Sequence, residues 1–130
     1  MGKNLKMNDD VYKLRRRVMA HIYEAKNLLR SKGVDLPRID VRITDNEAEE
    51  GWRGALGVAD LGGNIIWVSQ RALSKWKANL KEIVFHEIVH AVTGFNHDDD
   101  CKLMCPCVAI KSISDGELNK AFLKYFKVKN

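Results

Sequence analysis

Long hydrophobic runs are missing from this chain. No stretch approaches the ~20 apolar residues that cross a bilayer, so no membrane contact is expected. The first ten residues carry lysines with no apolar segment behind them, and no secretory signal is expected. Position 6 is Lys6 rather than Ser or Thr, so Gly2 does not read as a myristoylation site. Cysteine is scarce. The three present, Cys101, Cys105 and Cys107, fall within seven residues. An odd number packed so closely is not a disulfide framework. Reduced thiols in a cytoplasmic protein are the simplest reading. Internal repeats and low-complexity segments are absent as well.

The composition that remains suits one soluble domain over residues 1–130, expected to be a monomer. At 45% hydrophobic and 30% charged residues, the chain has enough apolar mass for a core. The net charge is +5, much of it in Lys13–Arg17 and in the C-terminal lysines. Such charge could hold the protein near nucleic acid. Solvated helix faces explain it more simply, and that reading is preferred.

One stretch organises the rest. His86-Glu87-Ile88-Val89-His90 reads HExxH, inside an apolar segment from Leu80 to Gly94. Residues four apart share a helix face, so the two imidazoles can close on one metal ion. Zinc is the natural choice, since its catalytic sites use three protein ligands and keep one open position. Glu87 is a carboxylate placed to take a proton from metal-bound water. A buried helix must satisfy such groups with something. The competing reading is a pair of core histidines bonded to backbone carbonyls.

Around this stretch the periodicity predicts a small α+β domain. A long helix is expected over 9–32, capped by Asn8 or Asp9, with Val11, Leu14, Val18, Ile22, Ala25 and Leu29 inward and Gly33 as its stop. His21 on this helix is given no role. Residues 38–44 alternate as a half-buried strand. The acidic segment 45–51 does not match an EF-hand loop and reads as solvated. Segments 55–59 and 64–69, around Gly62-Gly63, read as a hairpin. Trp52 and Arg53 could line a cleft. A helical turn is expected within 70–79, with Ser74 as a possible cap. Ser114 and Glu117 form a capping box for a last helix whose apolar face is Leu118, Phe122 and either Tyr125 or Phe126.

Beyond Gly94, a polar loop can fold a third ligand back to the metal. His97 is the candidate and Asp98 the substitute. The order HExxH, glycine, histidine with an acidic neighbour, Leu103-Met104-x-Pro106, then a helix opening Ser114-Asp115 resembles the metzincin zinc peptidases, most of all their matrixin-like branch. The resemblance implies a zincin-like (metzincin-type) fold. A small mixed sheet would pack on the long N-terminal helix and the HExxH helix, with a C-terminal helix following. It implies zinc ligation by His86, His90 and His97, with Glu87 as general base. Met104 would lie in a turn beneath the metal, and one strand of 55–60 or 64–69 would be the edge that pairs with an extended peptide. Gly94 and His97 each lie one residue further from His90 than the family spacing has them. Pro106 stands where some branches place a tyrosine.

The chain is also similar to SprT-like proteases, which carry HExxH and a later histidine and act on proteins attached to DNA. The three cysteines could hold a second zinc, as the four-cysteine site of archaemetzincins does, but free thiols fit the spacing better. The expected activity is thus a zinc-dependent endopeptidase acting on protein or peptide substrates. The rival class is a non-catalytic domain that zinc only stabilises.

Overall fold

The computed structural model describes residues 2–44, 57–69, 80–95 and 114–126, with side chains over 11–43, 59–68, 80–95 and 114–126. Helix α1 runs from Gly2 to Arg30. Leu14, Val18, Ile22, Ala25 and Leu29 recur every three or four residues, and all five are buried. The expected start near Asn8 or Asp9 is too late. Nothing in Lys3–Met7 breaks a helix, and Leu, Lys and Met are good helix formers. Asn8 and Asp9 therefore sit inside α1 rather than capping it. The stop is as expected. Gly33 takes φ +79°, the Val34 N–H donates to the Leu29 carbonyl (2.9 Å), and the Gly33 N–H donates to that of Arg30 (3.0 Å). That pair of bonds is a Schellman closure, which needs a left-handed residue at Gly33.

Three strands follow: β1 (Asp40–Thr44), β2 (Gly57–Asp60) and β3 (Ile65–Ser69). Their order in the sheet is β1-β3-β2, with β1 parallel and β2 antiparallel to β3. The period-two pattern sorts the faces. Val41, Ile66 and Val68 enter the core, together with Ile39 just before β1. Arg42 and Trp67 are paired across the ladder on the other face, the guanidinium 5.6 Å from the ring centroid. The hairpin at Gly62-Gly63 forms as expected. Because β3 has neighbours on both sides, it cannot be a free edge. Of the two hairpin strands, β2 alone has, among the described residues, a neighbour on one side only.

Helix α2 (Leu80–Thr93) is buried throughout from Leu80 to Ala91. It packs against α1, β2 and β3. Helix α3 (Asp115–Lys124) lies against α2, with Phe85 and Phe122 ring centroids 4.5 Å apart. Ser114 caps α3 by accepting the Glu117 N–H, as the sequence predicts. Tyr125, rather than Phe126, completes its buried face, while Phe126 packs on Phe122 at 4.9 Å. Lys81 ties the three helices together. Its ammonium lies 3.2 Å from Glu24 on α1 and 3.5 Å from Asp115 on α3. The described elements make a small mixed α+β arrangement, and no described helix is long and apolar enough to cross a membrane.

Candidate metal centre

Helix α2 brings His86 and His90 onto one buried face. Their Nε2 atoms stand 3.0 Å apart and their rings meet edge-on at 4.6 Å. Two tetrahedral ligands at ~2.0–2.1 Å from zinc are about 3.3 Å apart. The imidazole pair is therefore spaced close to what one ion requires. The Nδ1 of His90 lies 2.6 Å from the Phe95 carbonyl oxygen. A carbonyl only accepts, so Nδ1 carries a proton, and Nε2 is the nitrogen turned toward His86, with its lone pair there whenever the ring is neutral. This is the usual way a backbone carbonyl orients a metal-ligating histidine.

Glu87 is buried beside the pair. Ligand atoms of His86, Glu87 and His90 all lie within 4.8 Å of one another, so the three residues could hold a metal ion. Among the described residues, none hydrogen-bonds to the Glu87 carboxyl. Burial alone pushes its pKa up to about 8, far above the ordinary carboxylate value of 4.5. A buried carboxyl with no hydrogen-bond partner among the described residues, beside two converging nitrogens, is a setting that a cation and its water would satisfy.

This burial has a consequence for the metal-free protein. The Glu87 carboxyl binds a proton more tightly folded than unfolded. Its favourable contribution is complete below pH ~4.5 and is lost as pH rises toward 8. At ~1.4 kcal/mol per unit, about 3 kcal/mol has gone by pH 7. Metal-free Glu87→Gln lacks this slope. It is expected to be the more stable protein at pH 7 and to match wild type near pH 4.5, as measured by urea unfolding in chelator.

The hairpin helps to close the C-terminal end of α2, beside the Thr93 hydroxyl, which donates to the Val89 carbonyl and accepts the Phe95 N–H. The last carbonyls of a helix lack internal partners. The Gly62 N–H donates to the His90 carbonyl and the Asn64 N–H to that of Ala91, each at 3.0 Å. The Gly94 N–H also reaches the His90 carbonyl, at 3.1 Å. Gly62 (φ +73°) and Asn64 (φ +60°) adopt left-handed backbone to present these groups. The turn therefore fixes the backbone that carries the second histidine. Among the described residues, nothing lies within 4 Å of a Cβ built on Gly62, so substitution there tests mainly conformation. Gly62→Val is expected to cost about 1–2 kcal/mol, read as a lower urea midpoint with unchanged slope. An unchanged midpoint would mean that the turn is not held in this conformation.

The structure thus brings His86, Glu87 and His90 together. His97 and its substitute Asp98 lie outside the described residues, as do Trp52, Arg53, Cys101, Met104, Cys105, Pro106 and Cys107, the segment 45–51 and the turn expected within 70–79. Sequence reasoning missed the Phe95 carbonyl, Gly62 and Asn64. The hairpin signal at Asp60-Leu61-Gly62-Gly63 was visible, but nothing in it tells which helix end the turn closes. His21, given no role, pairs with Glu24 at 2.9 Å on the same helix. No family model, curated protein or solved structure matches the chain.

Proposed function

We propose that this chain is a zinc-dependent endopeptidase built on a zincin-like domain. The observation that carries the reading is the His86–His90 pair. Two Nε2 atoms converge at 3.0 Å, one of them with its tautomer set by a backbone carbonyl, and a buried glutamate stands at the next position. His86 and His90 would hold the metal, with His97, or Asp98 in its place, completing the ligand set. Bound zinc supplies a Lewis acid that polarises a peptide carbonyl and acidifies water near neutral pH. With a cation beside it favouring the ionised carboxylate, Glu87 would take a proton from the attacking water and deliver it to the leaving amine. Strand β2, which has no neighbour on its other side among the described residues, would offer that side to an extended peptide whose main chain pairs with it.

The test is a peptide-library digest by the zinc-loaded chain, with a chelated sample beside it. Cleavage that chelator removes and zinc restores is the expected result. Stoichiometric zinc with no cleavage of any peptide would instead favour a domain that the metal only stabilises.

A further inference from the structure

Helix α1 has a second organised face, unrelated to the metal centre. Between residues 11 and 33 the chain carries seven lysines and arginines against one carboxylate, Glu24. That segment is worth +6, while the rest of the chain sums to −1. The whole positive excess of the protein therefore sits in this segment, every one of its cations but Lys32 being on α1.

The charges are also sorted around its axis. At ~100° per residue, Arg15, Arg16, Lys26 and Arg30 fall on one side of the core stripe. Tyr12, Met19 and Tyr23 fall among them, all within an arc of ~100°. The four cations are exposed. The three apolar side chains are 60%, 44% and 64% exposed, which makes them three of the five large hydrophobic residues left open to solvent among the described residues. Arg16 lies over the Tyr12 ring at 5.9 Å. Glu24 falls on the opposite flank, where His21 and Lys81 hold its carboxylate at 2.9 and 3.2 Å. Among the described residues, no carboxylate pairs with Arg15, Arg16, Lys26 or Arg30. The stripe from Tyr12 to Arg30 is ~27 Å long at 1.5 Å per residue.

We propose that this outer face of α1 binds single-stranded nucleic acid, with the cations on the phosphates and Tyr12 and Tyr23 as stacking platforms for bases. Interleaved cations and exposed aromatic rings, with no carboxylate among them, complement a polyanion that also presents flat π-faces. A lipid surface fits less well, since the apolar stripe of α1 is already buried in the core and arginines divide what remains. A duplex offers phosphates but keeps its bases stacked, leaving the tyrosines without a partner.

The probe is a fluorescently labelled 20-residue oligothymidylate, followed by anisotropy on the full-length chain between 50 and 200 mM salt. Wild type is expected to bind with log K falling against log salt at a slope near −3, about −0.7 for each of four phosphates. Arg15→Glu/Arg30→Glu is expected to weaken binding at least 30-fold. Arg38→Glu/Lys120→Glu makes the same charge change at exposed sites off the stripe and is expected to weaken it less than about threefold. Tyr12→Ala/Tyr23→Ala is expected to lose about tenfold or more with the salt slope unchanged. Circular dichroism melts of each variant check that it is folded, as substitutions at exposed positions should be.

Three results would overturn the proposal. One is no binding by wild type at 100 μM. Another is equal weakening by the two charge-matched pairs, which would make the effect one of net charge. The third is tighter binding to a 20-base-pair duplex with no loss on removing the tyrosines, which would make the face a duplex-backbone contact.

Discussion

Glu87→Ala is expected to keep one zinc per chain and to lose peptide hydrolysis by ~10²–10⁴-fold, the range a positioned general base contributes. Glu87 follows His86 directly, so its carboxyl is delivered to the imidazole pair by the same turn of α2. It is buried, and among the described residues no hydrogen bond engages it. A carboxyl kept in so unfavourable a setting weakens the metal-free fold above pH ~4.5. That is the cost expected of a group retained for chemistry rather than for packing. Glu87→Gln sharpens the test because it keeps volume and removes only the base. Two measurements on that one variant should move in opposite directions: turnover down, metal-free stability at pH 7 up. Turnover equal to wild type in Glu87→Ala would remove this residue from the mechanism.

His90→Ala is expected to abolish stoichiometric metal binding, and His86→Ala likewise. Each variant deletes one of two nitrogens already set 3.0 Å apart. Loss of an oriented ligand should exceed the 10–100-fold that removal of an outer-shell partner costs. The effect is also readable as stability. A ligand at a thousand times its Kd stabilises the native state by ~4 kcal/mol. Zinc should therefore raise the melting temperature of wild type and leave that of His90→Ala unchanged. An equal rise in both would place the metal elsewhere on the chain.

What could be read from the sequence follows from how local each signal is. The α2 helix and its two histidines were legible because the i, i+4 spacing and the apolar flanks both lie inside fourteen residues. The Ser114 cap and the Gly33 stop were legible for the same reason. The start of α1 was misplaced because Asn8 and Asp9 resemble caps, while the helix-forming run before them carries no signal of its own. The role of Gly62 and Asn64 could not be read at all. Their amides satisfy carbonyls of His90 and Ala91, nearly thirty residues on, and only tertiary packing brings the two together. The position of β3 is a similar case. Adjacent hairpin strands were expected, but the parallel pairing with β1 that makes β3 central joins segments some twenty-five residues apart. The stripe on α1 lay in plain view as a charge run. The periodicity already gave the direction in which the helix faces, and the structure added the exposure of Tyr12, Met19 and Tyr23 and the pairing of Glu24 away from the stripe.

Metal content per chain, on protein purified without chelator and with His97→Ala alongside, tests the central claim most directly. One zinc in wild type, lost or weakened in the variant, is the predicted result and defines a three-histidine site. One zinc retained by the variant would assign the third ligand to Asp98 or a cysteine. No metal in wild type, even after incubation with zinc, would contradict the account. His86 and His90 would then be a hydrogen-bonded core pair, and the endopeptidase reading would fall with the metal.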